Sequence, residues 1–196
     1  NLKNLASDMT PIHLQKEGGL NKKPEFRAVN PQMRLPALKL DSGDVLIQSL
    51  AIIEYLDEIH PQPPLLPRDP VERAKVRALA QIIACDIQPM QNTSTMKYLR
   101  ETLKLDDAAS AAWLREWITR GLDAFNAHLE RDHLSARFCH GDTPTMADCC
   151  LVPQLFAAER FGVDPTRYPR LALLWENCNR MSAFAAAHPA RQPDAH

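Results

Sequence analysis

The sequence predicts two domains, a small α/β domain followed by an all-helical one, and three observations predict it. Residues 36–47 read as two short strands around a tight turn. His60–Pro70 carries five prolines in eleven residues and cannot continue a helix. Beyond it, apolar residues recur at helical spacing over most of the remaining chain. The expected boundaries are 1–62 for the α/β part, 63–69 for a stiff linker and 70–196 for the helical part.

In order along the chain, Asp8–Leu14 suits a short strand, at a sheet edge because Pro11 has no N–H to give to a ladder. Gly18-Gly19 and Asn30-Pro31 mark loops on either side of a helical turn at Glu25–Ala28. Pro36–Leu40 and Val45–Ile47 are strands, and Gly43 in Asp41-Ser-Gly-Asp44 supplies a positive φ without steric cost. Ser49 reads as the N-cap of a helix to His60, with Ile52, Ile53, Leu56 and Ile59 on one stripe.

Asp69-Pro70 opens the helical domain with a cap followed by proline at the first helical position. Leu79, Ile83 and Met90 then predict one long helix. A second spans Ala109–Arg131 with Leu114, Ile118, Leu122, Phe125 and Leu129 on one face. A third runs from Thr145 to Phe161, and Pro153 inside it should kink it or need compensation. Two shorter helices are expected at Pro169–Asn179 and Ala183–Ala187, followed by a polar, loose tail.

The 196 residues carry a net charge of −1 and no basic block, which removes the electrostatic footprint of a nucleic-acid or anionic-membrane partner. No apolar run approaches the ~18 residues of a membrane span. The five cysteines are odd in number and contain no C-x-x-C, which fits reduced thiols in a cytoplasmic protein better than a disulfide framework. Asn1-Leu2-Lys3 reads like the last turns of a helix, so the natural protein is expected to begin upstream.

Several residues carry chemistry on their own account. Leu35-Pro36 is either an ordinary trans turn or a cis bond. Gln48-Ser49 begins a helix after a strand, where free N–H groups and the macrodipole favour a carboxylate, a role compatible with simple capping. Gln88 and Asn92, four apart, share a helix face. With Thr93 and Ser94 they line a polar cleft or coat a polar surface. Arg160, closing the third helix of its domain, suits the macrodipole and equally a carboxylate. Asp148 reads as the acidic member of a capping box begun by Thr145, not as an acid or base. His128, His133, Cys139 and His140 match no zinc spacing and read as solvated helix-end and loop residues, so no metal is expected. Cys149 and Cys150 read as core, and Trp113 and Trp117 as packing residues.

Four segments then carry a resemblance: Asn30-Pro-Gln-Met-Arg-Leu-Pro-Ala-Leu38, Ile47-Gln-Ser-Leu-Ala-Ile-Ile-Glu-Tyr-Leu56, Asp86-Ile-Gln-Pro-Met-Gln-Asn92 and Gly141-Asp-Thr-Pro-Thr-Met-Ala-Asp148. Together they resemble the zeta-class glutathione transferases, the maleylacetoacetate isomerase family. Arg191-Gln-Pro-Asp194 looks like that family's tail, and the Gln-Pro-x-Gln-Asn stretch narrows the likeness to the zeta class.

The resemblance implies a thioredoxin-like N-terminal domain, truncated at its start, and an all-α C-terminal domain. It implies glutathione as cofactor, held by Leu35, Pro36 (cis in the family), Gln48, Ser49, Gln88 and Asn21. A small dicarboxylate would be held by Arg160, Asn92, Thr93 and Ser94. The family's catalytic serine loop would lie upstream of Asn1, so no catalytic residue is expected in this chain. The implied reaction is isomerisation of maleylacetoacetate to fumarylacetoacetate by reversible thiolate addition, in a homodimer. Maleylpyruvate isomerase, a general glutathione transferase or a non-catalytic interaction module are the alternatives.

Overall fold

In the computed structural model, which describes residues 1–14, 16–132 and 137–192, the chain forms two units. The first comprises Asn1–Pro64 together with the stretch from Ser182 on, and the second Leu65–Met181. The short helix Ser182–Ala187, expected within the helical domain, therefore belongs to the first unit. There Asn1 Nδ2 donates to the Ala183 carbonyl (3.0 Å).

The start of the first unit departs from expectation twice. Asn1–Asn4 is a turn rather than a helix end, closed by Asn4 N–H on the Asn1 carbonyl (2.9 Å), with Asn4 at φ 52°. Residues 8–14 form no strand. Pro11 cannot pair there, and the His13 carbonyl instead accepts from Leu20 N–H (2.8 Å) across the glycine loop. Gly19 sits at φ 103°, and a Cβ on it would lie 2.8 Å from both the Leu14 carbonyl and Asn21 Oδ1. No side chain fits that position.

Helix α1 (Pro24–Val29) begins with proline and buries Phe26. Asn30, almost fully buried, ties the next turn by donating to the Arg34 carbonyl (2.7 Å) and accepting from Gln32 N–H (3.0 Å). Strands β1 (Ala37–Lys39) and β2 (Val45–Ile47) pair antiparallel with Leu38 opposite Leu46. Gly43 makes the turn at φ 94°. Helix α2 (Ser49–Ile59) follows, inside the expected range.

Lys3 clasps the end of α2. Its ammonium lies 2.7 Å from Asp57 Oδ1 and donates to the His60 and Pro63 carbonyls (2.6 and 2.8 Å). The side chain is 5% exposed. A cation there meets the negative end of the helix and satisfies carbonyls the last turn leaves open.

In the second unit, α3 (Pro70–Gln81) starts as expected, with the Asp69 carboxylate accepting from Val71 and Glu72 N–H (both 2.9 Å). The single long helix does not hold. Ile82–Ile87 is a π-helical turn, where Gln88 N–H reaches back five residues to Ile83. A four-residue α4 (Gln88–Gln91) follows, and the helix ends at Asn92, whose ψ is 158°. Pro89 is the reason. It has no N–H for the Cys85 carbonyl, and its ring would press on that carbonyl in a regular helix. The wider π turn relieves both.

A further helix unmarked in the sequence reading, α5 (Thr93–Glu101), starts with Asn92 as its N-cap. Then come α6 (Asp107–Arg131), α7 (Met146–Arg160) and α8 (Pro169–Asn179). Helix α7 passes Pro153 without ending. Helix α3 packs on α7, and α6 on the π turn. Val76, Ile83, Ile118, Phe125, Leu151 and Leu171 lie at the centre of the core.

Gly121 lets α6 approach the π turn. A Cβ on it would clash with Ile87 Cγ1 and Cδ1, and Ile87 is fully buried in the core. Gly121→Ala should therefore destabilise the protein by about 1–3 kcal/mol, despite alanine's better helix propensity, as overpacked cores do; urea unfolding measures it. Lys3→Met should cost about 3–5 kcal/mol, because the half-buried Asp57 carboxylate loses the Lys3 ammonium, while Asp57→Asn in the same background should recover part of that loss in thermal melts.

Candidate functional site

The first candidate half-site lies where α2 begins. The Leu35–Pro36 bond, just before β1, is cis, as is Gln62–Pro63. Leu35 is 43% exposed. Gln48 ends the loop after β2 at φ 69°, ψ 116°, a conformation that costs a non-glycine residue on the order of 1–3 kcal/mol. Such strain at a helix start is a mark of function.

The expected cap is corrected here. Ser49 is the first helical residue and Gln48 takes the cap position, where its side chain makes no capping hydrogen bond. The Gln48 amide turns instead to Gln32, with Nε2 donating to Gln32 Oε1 (2.9 Å). The first-turn N–H groups of α2, at the positive end of the helix dipole, thus receive no acceptor from the Gln48 side chain. An external carboxylate fits that turn chemically. Gln32, not singled out in the sequence, is part of the arrangement; its only signal was its place within the Asn30–Leu38 motif.

Asn21 stands apart from this picture. It is buried, and Nδ2 donates to the Met33 carbonyl (2.7 Å), pinning the glycine loop to the turn after α1. Its Oδ1 is buried without a partner. Asn21, which the resemblance assigns to glutathione, is therefore an internal tie between these loops.

The second candidate half-site is built by the broken helix. Gln88 opens α4 half-buried. Asn92 does not share a helix face with it, since the helix ends there. Its Oδ1 accepts from Thr95 N–H (3.0 Å) and the Ser94 hydroxyl (2.6 Å), and Thr93 and Ser94 form the exposed first turn of α5. The backbone of α4 is held from outside: Thr95 Oγ1 donates to the Pro89 carbonyl (2.7 Å) and Trp113 Nε1 to the Met90 carbonyl (2.9 Å). Arg160, the last residue of α7, is exposed, its guanidinium 6.0 Å from the Phe161 ring centre. Phe161 packs on the cluster of Met96, Leu99 and Leu114. Arg160 thus stands beside the α5–α6 packing, with its planar fork in solvent for a carboxylate.

Other polar groups are structural. Asp148, fully buried, accepts from Thr145 N–H (2.7 Å) and hydroxyl (3.0 Å) and from Cys139 N–H (2.8 Å), completing the capping box. Cys139 is core, not a solvated loop residue. His140 bonds Glu72 (2.7 Å), and this bond, with Lys75, holds the Glu72 carboxyl below its ordinary value. Arg131 donates to His128 (2.9 Å). His133 lies outside the described residues, among which no group of side chains is arranged to hold a metal ion. Likewise, no helix among them is long and apolar enough to cross a membrane.

Burial, reinforced by neighbouring acidic or thiol groups, pushes the Cys149 and Cys150 thiols up to about 12 and the Cys139 and Cys178 thiols well above their ordinary value. Cys85 is the exposed thiol. Brief iodoacetamide treatment near pH 8 should alkylate Cys85, and the other four should react only in urea. Mass spectrometry of the peptides reads this directly, and early loss of Cys178 or Cys139 would contradict it.

Comparison with known proteins identifies the family. Residues 1–59 match the family model of the glutathione S-transferase N-terminal domain, and residues 106–173 that of the glutathione S-transferase C-terminal domain. Over all 196 residues the chain is 48% identical to a maleylpyruvate isomerase from Ralstonia sp., covering 91% of it. A solved holo structure of maleylpyruvate isomerase, described as a bacterial zeta-class glutathione S-transferase, superposes with a TM-score of 0.95 at 47% identity, covering 100% of this chain and 91% of that one. The maleylacetoacetate isomerase of Anaeromyxobacter dehalogenans, solved with dicarboxyethyl glutathione and citrate in its active site, superposes at 0.86 with 42% identity, covering 100% and 84%. The chain belongs to the glutathione S-transferase family. Within it, the chain falls in the zeta class, among the maleylacetoacetate and maleylpyruvate isomerases.

Proposed function

We propose that the protein is a glutathione-dependent cis–trans isomerase of maleyl dicarboxylates, with maleylacetoacetate as its preferred substrate. The observation that carries the reading is the start of α2, a strained Gln48 whose side chain leaves the first turn uncapped. In this reading the γ-glutamyl carboxylate rests on the Ser49 N–H and hydroxyl with Gln48 beside it. Leu35 offers its backbone N–H and carbonyl to the cysteinyl peptide in the manner of an added strand. Asn21 contributes by holding the loop rather than by touching the tripeptide, because its amide is committed to Met33.

When bound, glutathione supplies a thiolate that adds to the double bond and leaves after rotation. This chain's residues hold the carboxylates while that bond turns. Arg160 takes one of them bidentately. Asn92, Thr93 and Ser94 give a neutral, hydroxyl-rich turn beside the substrate. The relative that carries dicarboxyethyl glutathione supports this pairing of a tripeptide with a dicarboxylate group.

The uncharged Thr93 and Ser94 favour maleylacetoacetate over the shorter maleylpyruvate, whereas the Ralstonia relative's name favours maleylpyruvate. The ratio of kcat/KM for the two substrates decides between them.

Ser49→Ala should weaken glutathione binding about tenfold or more by calorimetry, since a hydrogen bond to a charged group contributes about 1.5–3 kcal/mol. Unchanged affinity would remove the carboxylate from this turn. Arg160→Ala should raise the substrate KM about tenfold or more while leaving glutathione affinity intact, and Arg160→Lys should restore part of the loss. An Arg160→Ala enzyme with parental KM would remove Arg160 from the substrate.

A further inference from the structure

Helix α7 turns mostly apolar residues to the core, and besides Asp148 in its first turn it buries one polar side chain in its middle. Gln154 is fully buried, between Leu151 and Leu155. Its amide pairs reciprocally with Gln91 at the end of α4. Gln91 Nε2 donates to Gln154 Oε1 (2.8 Å), and Gln154 Nε2 donates back to Gln91 Oε1 (3.3 Å). A leucine would fill such a place without any polar group to satisfy. What an amide pair adds is direction: it holds only over a narrow range of distance and angle, whereas apolar packing has no such preference.

Direction matters here because α4 is not self-supporting. It is a single turn between a π turn and the break at Asn92, and its carbonyls are held by Thr95 and Trp113. Gln91 lies between Gln88 and Asn92 in sequence. Gln154 lies six residues before Arg160 on an unbroken helix, roughly 9 Å along its axis at 1.5 Å per residue.

We infer that the Gln91–Gln154 pair is a positioning device for the isomerase reaction. It fixes the turn carrying Gln88 and Asn92 at a set distance from Arg160, and that spacing sets which dicarboxylate is turned over best. The inference rests on the functional reading above. Neither glutamine touches substrate; both act through the turn they hold.

The test uses the full-length enzyme with Gln91→Met, Gln154→Met and the double variant. Each single change leaves one amide without its partner and should lower the melting temperature. The double variant removes both polar groups together and should recover most of that loss. Its kcat/KM for maleylacetoacetate should nevertheless stay tenfold or more below the parent, with an altered ratio to maleylpyruvate, as a shift of the turn by about an ångström would produce. A double variant with parental kcat/KM and ratio overturns the inference. Should Gln154→Met fail to fold, Gln91→Met decides alone, since Gln91 is half-buried and its change leaves the core filled; parental kcat/KM there also overturns it. A parent enzyme that neither binds glutathione nor isomerises either substrate sinks the functional reading and the inference together. An active parent with an unaffected double variant sinks only the inference.

Discussion

Pro89 lacks an amide hydrogen, and the architecture of the helical unit around its polar turn follows from that absence. A regular helix through this point would leave the Cys85 carbonyl unpaired and crowded by the ring. The π turn at Ile82–Ile87 takes up the strain one turn earlier. It also brings Ile87 to where only a glycine on α6 can face it, which is the place of Gly121. After the proline the chain makes one helical turn and stops at Asn92, which reverses role and caps the next helix. The side chains of Thr95, Trp113 and Gln154 then secure what the backbone ladder no longer can. The missing donor thus accounts for the π turn, and the three side-chain hydrogen bonds hold the short turn that follows it.

Much of this was legible in the sequence where one residue has one physical job. Asp69-Pro70, the Thr145–Asp148 capping box and Gly43 each do what their chemistry predicts, because few alternatives satisfy the same backbone groups. Reading failed where one pattern serves two structures. Asn92-Thr93-Ser94 is as good a polar helix face as it is a helix start, and only the course of the backbone after Pro89 separates them. Ser49 is a strong capping residue by type, yet the cap position went to a strained Gln48. Residues 8–14 have strand composition, but composition cannot supply a neighbouring strand to pair with. Gly121 gave no sign at all, since its reason is a contact with a residue 34 positions earlier.

The two candidate half-sites hold negative charge by different means. At the start of α2 the charge would be met by backbone amides and an aligned helix dipole, which keep their positions whether or not a ligand is bound. At Arg160 it would be met by a solvent-exposed guanidinium, a planar fork at the end of a long side chain. The first arrangement suits a ligand that is the same at every turnover and must sit in one pose. The second suits a substrate that arrives, changes shape and departs. Strain is stored accordingly, at Gln48 and not near Arg160.

Helix α7 joins these requirements within the second unit. Its first turn is anchored by a buried carboxylate that accepts from Thr145 and Cys139, its middle holds the broken helix through Gln154, and its last residue is Arg160. A helix anchored at its beginning transmits position along its length, because each residue adds a fixed rise. The burial that raises the thiols of Cys149, Cys150 and Cys178 is the same burial that makes the anchor rigid, and it keeps those thiols out of thiolate chemistry. A protein whose reaction runs on an external thiol gains from cysteines of its own that stay protonated. The core around Asp148 therefore acts twice, by anchoring the helix that ends in Arg160 and by burying the thiols of Cys139, Cys149, Cys150 and Cys178, which leaves Cys85 as the exposed one.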